Sequence, residues 1–303
     1  MKKLKLGMHT YTLHLWGFGQ IWFSPGGETY DKEFDLVALM DKSVEWGLDG
    51  LHVTGTDLET RDDKRLAEIA KAAKDRGLYL EYNFSLNEES DKRINDTFAN
   101  AASVCHKLGG DLAKCSLDIR RTGPVYGSCM RPDVMRQLAD IHDQVKAALP
   151  EYDKYGVRLA IENHTETYAD EILWLVDQIN HPLVGVCLDT VNSFPVLEGP
   201  EVAVEKLAPK AICVHFCDHK LDRDEYGARF HGVAIGEGDI DCGKILDLLR
   251  RVSPLDRITF EIEWDKGNDS LEEAKKKEMD ACLRSIKYCR EVLKIGQEDK
   301  LFG

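Results

Sequence analysis

The sequence lacks the features that would place the chain in a membrane or in an oxidising compartment. No run approaches the eighteen apolar residues of a membrane helix, and residues 1–6 carry lysines without the apolar stretch of a signal peptide. The nine cysteines include no Cys-x-x-Cys pair, so a structural zinc site has little support. Because several of them lie within apolar patterns, we expect buried free thiols, a cytoplasmic protein and no contact with membranes.

Positive charge is also scarce. The chain has 40 Lys and Arg residues against 54 Asp and Glu, and its formal net charge of −14 is spread along the sequence. Nucleic acid and anionic membrane surfaces are therefore disfavoured as partners on electrostatic grounds. With 43% hydrophobic residues and no change of composition that would mark a linker, residues 1–303 are predicted to form a single domain.

Short apolar runs alternate with stretches of helical spacing along the whole chain. The eight predicted strands lie at residues 4–9, 49–53, 78–83, 112–117, 157–162, 184–189, 211–215 and 258–262. Strands that alternate with helices indicate a parallel sheet with crossover connections. Eight such units in about 300 residues predict an α/β fold, a single-domain (β/α)8 TIM barrel. A doubly wound open sheet is the alternative, but residues 9–13 do not provide the glycine-rich first turn that it needs.

Two segments differ from this repeat. The predicted first βα loop, at about residues 10–30, contains Trp16, Phe18, Trp22 and Phe23, which are too many aromatic side chains for an inert connection. A lid in which Trp22 contacts the substrate and a contact between copies in a homo-oligomer explain them equally well. A long C-terminal helix is predicted at about residues 272–293.

Four predicted strands end in a side chain that can bind a metal, namely Glu162, Asp189, His215 and Glu261. The carboxyl ends of the strands of a TIM barrel converge on one face, where active sites lie. Each residue alone could instead be a strand-end charge that pairs with a surface Lys or Arg. Four of them in one barrel pattern favour a shared site, and we predict that together they bind one divalent cation.

The ligand types indicate the chemistry of that site. Three carboxylates and one imidazole suit Mn²⁺, Mg²⁺ or Co²⁺ better than a thiolate-type zinc site, and they leave about two octahedral positions for a carbonyl and a neighbouring hydroxyl. A metal there would act as a Lewis acid that stabilises an enolate oxygen. Glu162 and Glu261 come from separate strands, so they are predicted to be the general acid and base. Glu263 competes with Glu261 because alternation points both the same way, but only Glu261 follows the apolar run directly.

Three further residues are candidates for binding a substrate. His9 ends the first predicted strand, and His164 lies just past the ligand Glu162. Lys114 lies inside the fourth predicted strand, where an unpaired ammonium group would be costly, so it is either paired or functional.

Five short motifs follow one another in an order that resembles a known superfamily. They are Ile-Glu-Asn-His at 161–164, Leu-Asp-Thr-Val-Asn at 188–192, Val-His-Phe-Cys-Asp at 214–218, Gly-Glu-Gly-Asp-Ile-Asp at 236–241 and Phe-Glu at 260–261. The chain resembles the xylose isomerase-like TIM barrels, the superfamily of sugar phosphate isomerases and epimerases. It is similar in particular to the single-metal ketose 3-epimerases.

That resemblance implies one Mn²⁺-type ion, with Mg²⁺, Co²⁺ or Zn²⁺ as alternatives, and a small carbohydrate as the substrate. It also implies that Glu162 and Glu261 are the acid/base pair and that Asn192 binds substrate where the epimerases often have a histidine. The arginine that those enzymes carry after the metal-binding histidine has no counterpart at Leu221, so Arg229 and His231 are the candidates for its role.

A sugar isomerase or epimerase that acts through an enediolate is therefore the first hypothesis. The same enolate arises when a keto sugar acid loses CO₂, so a decarboxylase or lyase is the alternative, with Lys114, His164, Arg229 and His231 available for a carboxylate. A nuclease like endonuclease IV would need a trinuclear cluster and a basic groove, which the net charge disfavours. A non-catalytic sugar-binding protein would not need an acid/base pair.

Overall fold

The structure is a computed structural model that describes residues 3–19, 30–121, 128–223 and 225–296. These residues form ten strands: β1 Lys5–His9, β2 Gly50–Thr54, β3 Tyr79–Ser85, β4 Leu112–Ser116, β5 Arg158–Glu162, β6 Val184–Asp189, β7 Ala211–Phe216, β8 His219–Arg223, β9 Ala228–Gly232 and β10 Arg257–Phe260. Eight of them close into a parallel barrel in the order β1-β10-β7-β6-β5-β4-β3-β2, and β8 pairs with β9 outside it. The predicted (β/α)8 TIM barrel is therefore confirmed.

Helices connect the barrel strands. They are α1 Leu36–Glu45, α2 Gly55–Leu58, α3 Asp63–Asp75, α4 Phe98–Lys107, α5 Pro132–Tyr155, α6 Ala169–Ile179, α7 Pro200–Leu207, α8 Cys242–Val252 and α9 Leu271–Glu291. Side chains set several of their starts: the Asp35 carboxylate accepts from Ala38 N at α1, and Ser270 with Glu273 forms a capping box at α9. The long C-terminal helix is thus present, and α5 continues through Pro150 to end at Gly156, whose φ is +64°.

The structure corrects three details of the predicted elements. The helical spacing of residues 92–108 predicts one helix, but in the structure that helix starts at Phe98, because the Thr97 side chain caps it, and Lys92–Ile94 is a separate 3-10 turn. The first βα loop begins with a 3-10 helix over Thr10–Trp16 rather than with irregular chain. The hairpin β8–β9 is an addition to the predicted elements. Trp22 and Phe23 lie outside the described residues.

The amino end of the barrel is closed by packing and by the ion pairs of the buried Arg257. The Tyr79 ring fills the space beside Gly50, where a Cβ atom would lie 2.4 Å from the ring. Arg257 donates to both carboxylate oxygens of Asp111 at 3.0 Å and to Asp256 at 3.0 Å. This end is therefore filled, and the strands present their polar side chains at the opposite, carboxyl end. Among the described residues, no helix is long and apolar enough to cross a membrane.

Candidate metal centre and its pocket

The four predicted metal ligands meet at the carboxyl end of the barrel. Glu162 ends β5, Asp189 ends β6, His215 is the penultimate residue of β7, and Glu261 directly follows β10. All four side chains are buried. The Nδ1 atom of His215 lies 2.9 Å from Glu162 Oε1, 3.1 Å from Glu261 Oε2 and 3.9 Å from Asp189 Oδ2. One imidazole nitrogen therefore faces three carboxylate oxygens.

Glu162 holds its second oxygen against a buried ammonium group. The Lys114 Nζ atom forms an ion pair with Glu162 Oε2, and it donates to Ser116 Oγ at 2.7 Å. Ser116 Oγ in turn donates to Glu162 Oε2 at 2.9 Å. Burial alone would raise the pKa of Glu162, but Lys114 and His215 outweigh it and hold that pKa well below the usual range. The buried ammonium group of Lys114 is thus paired with a carboxylate, as expected because an unpaired buried charge would be costly, and Lys114 also lines the pocket.

Glu261 has a different environment. Its Oε1 atom lies 3.4 Å from His9 Nδ1, but that nitrogen already accepts the backbone N–H of Tyr11 at 3.0 Å. Burial lowers the pKa of His9 well below its ordinary value, so the ring is neutral. The Nδ2 atom of Asn83 lies within hydrogen-bond distance, 3.1 Å, of the other ring nitrogen of His9, Nε2. His9 therefore lies beside Glu261 without neutralising it, and Glu261 lines the pocket.

Asp189 is fixed by the backbone around it. Its Oδ1 atom accepts from Val191 N at 2.7 Å and from Asn192 N at 2.9 Å, so Oδ2 is left to face His215. The Asn163 side chain clamps the same residue, because it accepts from Asp189 N at 2.8 Å and donates to Asp189 O at 3.0 Å. Burial, followed by the charge of Glu162, raises the pKa of Asp189 to about 7. The cluster thus has more negative charge than its own residues stabilise.

These observations test whether the residues fit a metal ion. Ligand oxygens around an ion of the Mg²⁺ type lie about 3–4 Å apart, because the metal–oxygen bonds are about 2.0–2.1 Å long. The three distances to His215 Nδ1 match that spacing. Burial would lower the pKa of His215, but Glu261 and Glu162 raise it well above the ordinary value, so the cluster attracts positive charge. Glu162, Asp189 and His215 also form a group whose ligand atoms lie within 4.8 Å of one another. The residues therefore fit one divalent cation.

The pocket brings most of the predicted substrate-binding residues together. It is a small cavity of about 20 Å³ that is lined by His9, Tyr11, Asn83, Lys114, Glu162, His164, Asn192, His215, Glu261 and Glu263. His164 Nδ1 lies 2.6 Å from Glu166 Oε2. Burial acts to lower the pKa of His164, but Glu166 raises it to about 10, so the His164 ring is a cation in the pocket wall.

Two of the proposed substrate-binding residues lie elsewhere. Arg229, on β9, has a side chain that is 69% exposed and pairs with Asp265, and it does not line the pocket. The suggestion that it replaces the missing arginine near the metal is therefore not supported by its position. His231 lines a wider neighbouring cleft, 3.4 Å from Asp222, rather than the metal pocket. Trp22 falls outside the described residues.

The structure adds residues that sequence reasoning did not select. Tyr11 and Glu263 line the pocket, while Ser116 and Asn163 hold its ligands in place. The sequence could have indicated that Glu263 and Tyr11 line the site, because Glu263 points to the same face as Glu261 and Tyr11 lies two residues after His9. No sequence signal identified Ser116 or Asn163, because their roles depend on which strand lies next to them.

A closed parallel barrel whose polar pocket lies at the carboxyl ends of its strands is a TIM barrel with the layout of an active site. A family model described as "Xylose isomerase-like TIM barrel" matches residues 40–288. The chain therefore belongs to the xylose isomerase-like TIM barrel family, and the resemblance seen in the strand-end motifs is confirmed.

One curated relative is a 3-oxo-isoapionate decarboxylase from Pectobacterium atrosepticum. It is 26% identical over 137 residues, which are 45% of this chain and 49% of the relative. The matched part thus spans about half the length of that protein.

Solved structures share the fold over nearly the whole chain. The D-psicose 3-epimerase of Clostridium cellulolyticum, solved with D-tagatose, is 17% identical with a TM-score of 0.67, and the match covers 96% of this chain and 99% of that one. A xylose isomerase-like TIM barrel protein from Mycobacterium smegmatis, in complex with magnesium, is 16% identical with a TM-score of 0.61 over 94% and 97% of the two chains. At these identities the likeness shows the fold alone.

Proposed function

We propose that the protein is a divalent-metal-dependent enzyme that isomerises or epimerises a small keto-sugar through an enediolate. The observation that carries this proposal is the way two glutamates share one imidazole. Glu162 and Glu261 each direct one oxygen to His215 Nδ1, at 2.9 Å and 3.1 Å. Each turns its other oxygen towards a different side of the pocket, Glu162 to Lys114 and Glu261 to His9. Proton transfer at two positions of a substrate needs such a pair.

The four ligands would hold one ion, with Mn²⁺ as the first choice and Mg²⁺, Co²⁺ or Zn²⁺ as alternatives. Bound there, it would supply Lewis-acid stabilisation for charge that develops on a substrate carbonyl oxygen. The name of the magnesium complex from Mycobacterium smegmatis and that of the D-psicose 3-epimerase support a metal-dependent sugar enzyme in this family.

The chain's own residues would divide the proton chemistry. Glu261 removes the proton next to the carbonyl through Oε1, which neutral His9 leaves available. On the other side, Lys114 and Glu162 return a proton, and Ser116 fixes both of them. Because all of these groups are buried, the intermediate is shielded from bulk water.

One observation favours a second candidate, the decarboxylation of a keto sugar acid. Two cationic groups, the Lys114 ammonium and the His164 ring, line the metal pocket, and they could bind a carboxylate that leaves as CO₂. The matched curated relative is named a decarboxylase, although the match covers only half of it. The enolate formed by loss of CO₂ would then take its proton from the Lys114–Glu162 pair.

A substrate panel separates the two candidates. The protein is loaded with Mn²⁺ and incubated with ketoses and with keto sugar acids, and both sugar products and CO₂ are measured. Conversion of a ketose without CO₂ supports the first proposal, and CO₂ release from a keto acid supports the second. The Glu261→Gln variant is the control, since a reaction that persists in it does not come from this site. The absence of both reactions over a broad panel would contradict the proposed function.

A further inference from the structure

The metal pocket opens into a second, larger space. Tyr11 and Glu263 line both the metal pocket and a cleft of about 600 Å³. Small-molecule pockets usually measure about 300–1,000 Å³. The metal pocket itself has a volume of only about 20 Å³, enough for the reacting atoms, so a sugar bound at the metal extends into the cleft, which is larger than one sugar ring needs.

The walls of the cleft combine aromatic faces with polar side chains. Phe230 on β9 and Trp264 after β10 lie in its wall together with His219, His231 and Glu263. Phe230 is held in place by stacking on Phe194, with ring centroids 4.4 Å apart and an interplanar angle of 16°. Aromatic faces that are flanked by planar polar groups suit a sugar ring, whose C–H face packs on the aromatic ring while its hydroxyls form hydrogen bonds.

The hairpin β8–β9 is fixed against this wall. A parallel bridge joins Gly232 at its end to Trp264. A Cβ atom at Gly232 would lie 2.3 Å from the carbonyl oxygen of Glu263, so only glycine permits this approach. The hairpin therefore places Phe230 and His219 beside Glu263 without an adjustable linker.

Two polar atoms of the wall have no hydrogen-bond partner within the described part of the chain, namely Nδ1 of His219 and Nε1 of Trp264. The other ring nitrogen of His219, Nε2, pairs with Glu263 Oε2 at 3.1 Å. Buried polar atoms in native proteins are nearly always paired, and the indole N–H can only donate, so these atoms indicate a ligand that offers hydrogen-bond acceptors. Sugar hydroxyls offer them.

We propose that this cleft is a subsite for a second sugar ring, so that the substrate is a keto-sugar with a glycosidically linked sugar unit. The inference rests on the proposed function for the chemistry at the metal centre, but the subsite itself is defined by binding. Tyr11 and Glu263, which line both spaces, would lie beside the glycosidic link.

Binding measurements test the subsite without requiring turnover. The Mn²⁺-loaded protein is titrated by calorimetry with D-fructose and with the glucosyl-fructose disaccharides turanose and isomaltulose. At least one disaccharide should bind about tenfold more tightly than D-fructose. In Trp264→Ala and in Phe230→Leu, which keeps an apolar side chain against Phe194, that preference should fall about fivefold or more while D-fructose affinity stays within twofold.

The control is the Tyr226→Ala variant. Tyr226 is an aromatic residue in the turn of the same hairpin, but its side chain is 95% exposed and does not line the cleft. It should keep the wild-type preference. Equal affinity for D-fructose and both disaccharides in the wild-type protein would overturn the subsite, whatever the enzyme does to free ketoses. A disaccharide preference that depends on Phe230 and Trp264 in a protein without turnover would retain the subsite and reject the proposed chemistry instead.

Discussion

Glu261 approaches His215 with one oxygen and leaves the other to the pocket: Oε2 lies 3.1 Å from His215 Nδ1, while Oε1 faces His9. Glu162 makes the matching contact with His215 but gives its second oxygen to Lys114 and Ser116. Both glutamates end an apolar strand in the sequence, but their second carboxylate oxygens have different neighbours in the structure. In the proposed mechanism, Glu261 would act as the base, and Glu162, in its ion pair with Lys114, would help to return a proton.

The first prediction compares two glutamates on the same side of the barrel. Glu261→Gln keeps an oxygen near the metal but removes the base, and turnover should fall about 10²–10⁴-fold. Glu263→Gln, whose contact is with His219, should retain metal and lose less than tenfold in kcat. Steady-state kinetics with metal analysis of both variants measures this. If Glu263→Gln is inactive and Glu261→Gln nearly normal, the two roles have been assigned the wrong way round.

The second prediction concerns metal content. The wild-type protein should bind about one divalent ion per chain, and Asp189→Ala or His215→Ala should reduce that severalfold because each removes a buried ligand of the cluster. Elemental analysis after dialysis, with circular dichroism to confirm folding, provides the measurement. Glu263→Gln serves as the matched control and should keep the ion. Equal metal in all four proteins would rule out this centre.

Lys114 gives the third prediction. Lys114→Met keeps the length of the side chain without its charge, so Glu162 loses the ammonium group that shares its Oε2 atom. Turnover should fall about 10²-fold or more, because the proton donor on that side is lost, while metal content is maintained. Rates within threefold of the wild-type protein, with the metal still bound, would show that Lys114 is a structural partner only.

The fourth prediction is a pH-dependent change in stability at Asp118. Burial raises its pKa to about 6, although Asn87 N donates to the carboxylate at 2.7 Å. The charged form is thus penalised in the folded state, and the penalty grows as pH rises from about 4 to 6 and then stays constant. Asp118→Asn keeps an acceptor for Asn87 and tolerates the φ of +55°.

Denaturant unfolding at pH 4 and pH 8 tests that expectation. At pH 8 the Asp118→Asn variant should be more stable than the wild-type protein by about 1–2 kcal/mol, after allowance for partial exposure. At pH 4 the difference should nearly vanish, since both side chains are then largely uncharged. A difference that is the same at both pH values would mean that the charge of Asp118 is not its cause.

Much of the site could be predicted because strand ends are visible in the sequence. An apolar run followed by a polar residue identified Glu162, Asp189, His215 and Glu261, and the barrel topology then brought them together. Lys114 was recognised by the cost of burying an ammonium group, and the structure pairs it with Glu162.

Other features depend on contacts that sequence spacing does not encode. Ser116 matters because β4 lies beside β5, and Asn163 because β5 lies beside β6, so each acts on a residue of the neighbouring strand or its end. The hairpin β8–β9 was missed since its strands are polar and largely exposed and so lack an apolar run. Arg229 was chosen for its charge and its distance along the chain, but on that hairpin it pairs with Asp265.

Solvent deuterium incorporation tests the enediolate mechanism most directly. The metal-loaded enzyme is allowed to turn over its substrate in D₂O, and the product is analysed by NMR and mass spectrometry. Proton transfer by Glu261 and by the Lys114–Glu162 pair predicts deuterium on the carbon that gains a new C–H bond, whether the reaction is isomerisation, epimerisation or decarboxylation. Product that contains no solvent deuterium and carries the substrate's own hydrogen on the adjacent carbon would show a hydride shift and contradict the enediolate mechanism.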